Sequence, residues 1–282
     1  MNIINFFSSL TNVKQINDSD ILKTFEKKID LHYVFNNQEY SIRHGEINNY
    51  FKFFERIIGE YYMYGYFDND NLVATGCGIL RSINDEKIWY FCDLKVLLEH
   101  RKTYIPLKLI TANLSLARYS IKGYGVNLNQ NKNNNILNLA HYMSKFISDY
   151  LPIPMAKSAG NLNIYKIKSS IMHQMLPIIQ FHKGAVLFIS LSGIKDFIIN
   201  DQPILIYHLI LMKNINNCKD NLSLSIKELD PNAEYMFCFH EDDKIIIELD
   251  QIYKTEIKAN IIECNMSNLK PEDWDFIQSS EI

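Results

Sequence analysis

What the sequence lacks sets the first limits. Lysine and arginine total 29 against 32 aspartates and glutamates, a formal net charge of −3. The isoelectric point is near 6.2. Without a strong basic field, nucleic acid is not an expected partner. The five cysteines (Cys77, Cys92, Cys218, Cys238 and Cys264) form no C-x-x-C pair. Neither a zinc knuckle nor a thioredoxin-type site is therefore expected, and the thiols read as free and buried in a reducing compartment. No apolar run is long enough to span a bilayer. Met1–Leu10 lacks the basic start and long apolar core of a signal peptide, so a cytoplasmic protein with no membrane partner is expected. There is no G-x-S-x-G elbow. Gly123-Tyr124-Gly125 is followed by Leu128 where a dinucleotide fingerprint has its third glycine. Cys238-Phe239-His240 puts two possible ligands on one strand face without two more, so no metal is expected. No internal repeat is evident.

What is present is a foldable chain. Hydrophobic residues make up 47% and charged residues 22% of 282 positions, enough for one good core and a smaller second unit. Asp20–Lys28 reads as a helix. Tyr40-Ser41-Ile42-Arg43 alternates like a first strand. Glu46–Ile58 places Ile47, Tyr50, Phe51, Phe54, Ile57 and Ile58 at helical spacing, with Gly59 as the stop. Tyr61–Phe67, Leu72–Leu80 and Ile88–Val96 read as a three-strand meander, with turns at Asp68–Asn71 and Asn84–Glu86.

Thr103 is placed to cap a helix over Tyr104–Arg118. Tyr124–Leu128 is a short strand and Asn129–Asn135 a polar loop. The stripe Ile136, Leu139, Ala140, Met143, Phe146, Ile147 and Tyr150 predicts a second helix, ended by Pro152 and Pro154. Leu162–Lys168 and Ala185–Leu191 are candidates to complete the sheet. Ile204–Met212, Glu234–His240, Lys244–Leu249 and Ile257–Cys264 read as further strands, with Glu241-Asp242-Asp243 as a hairpin turn.

The segment Asp93–Ile110 reads as strand, basic loop and helix start. Unpaired N–H groups and the positive dipole end of a helix suit such a junction to phosphate. The order β-α-β-β-β-α-β-α over Tyr40–Tyr150, with Val96 followed by Arg101 after four residues, resembles the GNAT superfamily of N-acetyltransferases. The resemblance implies an α/β fold with a mixed, mostly antiparallel central sheet flanked by helices. The expected division is an N-terminal extension over residues 1–38, a GNAT-like acyltransferase domain over 39–200 and a β-rich C-terminal subdomain over 201–282.

The resemblance also implies acetyl-CoA as co-substrate and an amine acceptor, either a small molecule or a peptide. It implies main-chain contacts from Leu94, Lys95 and Val96 to the pantetheine arm. Pyrophosphate would lie over Arg101, Lys102, Thr103, Tyr104 and Ile105. Asn135-x6-Tyr142 resembles a family pattern that makes Tyr142 the general acid and Asn135 a cofactor contact. Asp93 is the candidate general base, with Glu60 as an alternative. The loop departs from the pattern, since Tyr104 and Pro106 stand where small residues are usual. That departure keeps open a second reading, a catalytically inactive binding or regulatory module on the same fold. Strands beyond the central fold would allow a homodimer.

Overall fold

The computed structural model describes residues 9–29, 32–35, 38–45, 49–101, 103–112, 117–128, 135–148, 155–217 and 229–282. In chain order the elements begin with β1 (Val13–Gln15), α1 (Ser19–Lys28), β2 (His32–Phe35), β3 (Gln38–His44) and α2 (Lys52–Arg56). The meander follows as β4 (Glu60–Asp68), β5 (Asn71–Ile83) and β6 (Glu86–Val96). Next come α3 (Ile105–Ala112), β7 (Gly123–Leu128), α4 (Asn135–Ser148), β8 (Lys157–Lys168), α5 (Ser169–Lys183) and β9 (Val186–Ser190). The chain continues through β10 (Lys195–Ile199), β11 (Gln202–Ile204), β12 (Ile206–Leu211), β13 (Glu234–His240), α6 (Ile245–Ile252) and β14 (Lys258–Cys264).

Three hairpins share one turn chemistry. Asn69-Asp70, Asn84-Asp85 and Asn200-Asp201 all take positive φ. Left-handed backbone at both turn residues matches the twist of the flanking strands, and Asn and Asp tolerate it better than other side chains.

The strands form two sheets. The large one runs β1-β4-β5-β6-β7-β14-β8-β13-β12-β9 and the small one β11-β10-β3-β2. Among the described residues, only β6–β7 and β12–β13 of the large sheet are parallel. The fold is therefore mixed α/β with a mostly antiparallel central sheet flanked by helices, as the resemblance implies. Strands from both sides of residue 200 share this sheet.

On one face of it, Tyr90, Tyr124, Ile164, Met236 and Ile261 pack with Tyr40, Ile42 and Phe197 of the small sheet and with Phe53 and Phe54 of α2. On the other face Tyr165 and Phe237 pack against Met172 and Met175 of α5 and Ile245 and Leu249 of α6.

Two expected elements differ in pairing or type, and the helix expected over Glu46–Ile58 is described as helix only over Lys52–Arg56, residues 46–48 lying outside the described residues. The strand at Tyr40–Arg43 does not lead the large sheet. As part of β3 it pairs with β2 and β10, and the edge beside β4 is taken by β1, with Val13 opposite Tyr66. Alternation specifies a strand but not its neighbour, because pairing is settled by contacts distant in sequence. The segment Lys244–Leu249 is a helix rather than a strand. Asp243 accepts the N–H of Ile245 at 3.2 Å. Ile245, Ile246 and Leu249 are buried on one side while Ile247 stays 69% exposed. A run of isoleucines has high β propensity, but the capping carboxylate and the one-sided burial favour the helix here.

Candidate active site

Strand β6 pairs with β7 only at Trp89↔Gly123, Tyr90↔Tyr124 and Phe91↔Gly125. Beyond that point β6 continues to Val96 and β7 to Leu128 without a shared ladder. A cavity of about 630 Å³ opens where they part. Trp89 and Phe91 line it from one face of the sheet, and Tyr90 and Cys92 line it from the other. Successive residues of a strand point to opposite faces, so the cavity passes through the sheet. Glycine makes room on the Phe91 side. A Cβ added to Gly123 would lie 2.8 Å from the Phe91 ring, and one on Gly125 would lie 3.1 Å from its carbonyl.

A bulge shapes the inner wall. Thr75 pairs with Lys95 and Cys77 with Cys92, so Gly76 stands opposite both Asp93 and Leu94. Asp93 takes φ 53°. The extra residue resets the alternation. Cys92 and Lys95, three positions apart, both turn to the face covered by α1, α2 and β3, and Asp93 joins them.

There the polar groups form a buried network. Lys95 Nζ donates to Glu26 Oε1 at 2.7 Å and to the Tyr50 hydroxyl at 2.8 Å, and it is ion-paired with Asp93. The Tyr50 hydroxyl donates to Asp93 Oδ2 at 2.8 Å. The His44 N–H donates to Glu26 Oε2, and His44 Nδ1 lies 2.8 Å from Glu26 Oε1. Only 4% of the Asp93 side chain is exposed.

Burial dominates the protonation of this network and neighbouring charges modify it. Burial alone would raise the Glu26 pKa, but Lys95 and His44 together hold it well below the usual carboxylate range. Burial pushes His44 down, keeping its ring neutral, and raises the phenols of Tyr33 and Tyr50. Burial would lower Lys95, yet Asp93, Tyr50 and Glu26 raise it well above an ordinary lysine, so it stays an ammonium. On the same side Lys195 is pushed down to about 7 by burial, with Arg56 and Lys95 adding to the shift. Its Nζ donates to the Ile282 main-chain oxygen.

The residues expected from sequence fall into groups. Asp93, Leu94 and Lys95 line the cavity, as do Pro106, Leu109 and Ile110 of α3. Arg101 is exposed, and its Nε donates back to the Val96 carbonyl at 3.2 Å. Thr103 accepts the Ile105 N–H at 3.4 Å, a contact that caps α3, and Tyr104 projects half-exposed from the same turn. α3 is described over Ile105–Ala112; of the rest of the expected helix, residues 113–116 lie outside the described residues and Arg118 stands in a 3-10 turn. Ala140 and Ser144 of α4 line the cavity. Tyr142 lies between them in sequence, so helical geometry turns it away, and it is 50% exposed. Asn135 opens α4. Lys102 lies outside the described residues. Glu60 is exposed and accepts from the Tyr62 hydroxyl.

Glu26, His44 and Tyr50 were not singled out for the site from sequence. The first two carried a signal. Glu26 shares the buried stripe Leu22–Phe25–Glu26 of α1, and His44 continues the inward alternation Tyr40–Ile42 of β3. A charged residue on an apolar face calls for a partner.

Among the described residues, no group of three His, Cys, Asp or Glu side chains could hold a metal ion, and no helix is long and apolar enough to cross a membrane.

No protein-family profile matches this sequence, and no curated protein matches it significantly. Solved structures do. A candidate acetyltransferase from Pyrococcus horikoshii is similar over 92% of this chain and 91% of its own, at 8% identity and a TM-score of 0.48. A tandem GNAT protein of the clavulanic acid biosynthesis pathway is similar over 72% of this chain and 82% of its own, at 10% identity and a TM-score of 0.39. A GNAT-type N-acetyltransferase of Kribbella flavida is similar over 71% of this chain and 59% of its own, at 8% identity and a TM-score of 0.34.

Proposed function

We propose that this chain is a divergent member of the GNAT superfamily that transfers an acyl group, in the simplest case acetyl, from acyl-CoA to an amine. The carrying observation is the buried Asp93–Lys95 pair at the strand bulge, set beside a cavity that passes through the sheet between β6 and β7.

Acyl-CoA supplies a thioester carbonyl activated for attack. Its arm fits the gap, because β6 beyond Phe91 has no ladder partner in β7. The main chain of Leu94–Val96 would hold the arm, and Arg101 would leave the Val96 carbonyl to meet the phosphates. Attack requires a neutral amine and stabilisation of negative charge on the carbonyl oxygen. Asp93 is the group in reach of an incoming ammonium that can take its proton. Lys95, held charged between two carboxylates, supplies a fixed positive centre on the same wall. A low-dielectric wall makes that charge count for more than it would in water.

Two departures favour the second reading, a non-catalytic binding module. Tyr104 and Pro106 stand where the family loop is small, and Pro106 has no N–H to offer. One pair of measurements separates the readings. Under the enzyme reading CoA raises the melting temperature, by a shift equivalent to about 2.7 kcal/mol at a hundred times Kd. Acetyl-CoA with a panel of amines then releases free thiol. A thermal shift without turnover on any amine selects the binding module. No shift at millimolar CoA rejects the enzyme reading.

A further inference from the structure

The large sheet contains the same arrangement twice. In the first half β5 runs antiparallel to β6, β6 is parallel to β7, and α4 leads from β7 to β8. One strand, β14, lies between β7 and β8. In the second half β9 runs antiparallel to β12, β12 is parallel to β13, and α6 leads from β13 to β14. Here the intervening strand is β8. Each half lends its last strand to the other. Both parallel ladders are three pairs long, and the second comprises Ile206↔Glu234, Tyr207↔Tyr235 and His208↔Met236. The second half therefore has its own parting of parallel strands, beyond His208 and Met236.

That second parting is filled by the chain itself. At its closed end, Ser279 donates to the Met236 carbonyl at 2.9 Å and lies 3.1 Å from His208 Nδ1, so it touches both strands at their last shared pair. One step outward, Cys238 Sγ lies 3.6 Å from the Ile277 carbonyl. At the open end Asp275 is tied to both strand ends. On the β12 side Lys213 and Asn214 bond it at 2.8 and 2.6 Å. On the β13 side Lys183 bonds Asp275 at 2.9 Å, pairs with Asp243 and stands over the Phe239 ring. Asp275 through Ser279 are all buried. The first parting, between β6 and β7, has the open cavity instead.

We propose that residues 275–279 act as a built-in occupant of the second strand-parting site, leaving one acyl-CoA site per chain at the first. The identity of the ligand rests on the function proposed above; the seal does not. The second half also furnishes walls of the first cavity, through Lys195, Ile262, Cys264 and Glu281. It has exchanged a site of its own for a share in its neighbour's.

Two measurements on the full-length chain test this. Calorimetric titration with CoA should give one site. Gly76→Phe grows a ring into the first cavity from a position whose Cβ meets nothing closer than 3.8 Å, and it should abolish binding altogether. If that variant does not melt cooperatively, Leu109→Trp serves the same purpose. Two sites in the parent, or binding retained by a folded blocked variant, would overturn the proposal. The second measurement needs no ligand. Amides of residues 275–279 should exchange with deuterium as slowly as those of β13, and Asp275→Asn should speed their exchange at least tenfold. Rapid exchange in the parent chain would overturn the seal. Absence of CoA binding together with slow exchange would reject the cofactor reading alone.

Discussion

Lys95 Nζ lies 2.7 Å from Glu26 Oε1, which fastens α1 to the strand that borders the cavity. The pair is buried from both sides, and each partner has a second one, His44 for Glu26 and Asp93 for Lys95. Removing Lys95 leaves two buried carboxylates, Glu26 and Asp93, without their shared cation.

Lys95→Met should therefore destabilise the fold by about 3–5 kcal/mol, the usual cost of orphaning a buried ionic partner. Glu26→Gln combined with Lys95→Met should cost less than the sum of the single changes, because the two share one interaction. Denaturant unfolding of the four proteins checks this. Strict additivity would show that the contact contributes nothing.

Asp93→Asn keeps a side chain that tolerates φ 53° but cannot accept a proton. CoA affinity should change little while turnover falls about 100-fold or more. Tyr142→Phe should leave turnover within about twofold, since the ring points away from the cavity-lining side of α4. The reverse pattern would move the chemistry to Tyr142, as its spacing from Asn135 implies.

Asp93→Val carries a different expectation. A β-branched residue held at positive φ costs roughly 1–2 kcal/mol before the lost ion pair is counted. The melting temperature should fall further for Asp93→Val than for Asp93→Asn. Equal shifts would mean that the bulge relaxes when the carboxylate is gone.

Stability should fall on acidification. Glu26, His44 and His208 all have pKa values depressed in the fold, His208 by burial first and by Lys195 and Arg56 after that. A group depressed in the native state contributes stability above its unfolded pKa and loses it as pH falls through the native value. Lys195, pushed down to about 7, starts the decline above neutrality, the histidines add to it below about 6.5, and Glu26 adds to it below about 4.3. Thermal melts from pH 9 to pH 3 measure it, and His208→Gln should flatten the middle of the curve. A melting temperature that rises toward pH 5 would contradict the neutral, buried histidines.

The strands of the meander were legible because each is a short run rich in apolar and aromatic residues and Asn-Asp turns join them, both of them local signals. Gly123–Leu128, Glu234–His240 and α4 were legible for similar reasons. The misreadings have longer reach. Nothing local shows that Tyr40 faces a hairpin some 155 residues away, or that Asp243 will cap Ile245 and convert an isoleucine run to helix. Asp93 could be picked out as a strand carboxylate, but Glu26, which shares Lys95 with it, sits in a segment set aside as an N-terminal extension. The duplication left no trace in the residues, because its two copies share strand order and pairing, with different side chains.

The crossed strands β8 and β14 bear on how the chain can come apart. Cut at any point between β8 and β13, the first piece would lack the strand that belongs beside β7, and the second would lack the one beside β13. Neither fragment would have a finished sheet, and each would present a bare edge that invites aggregation. Produced together, the two pieces should find each other and rebuild the whole, while the intact chain should unfold in one step with no half-molecule surviving on the way.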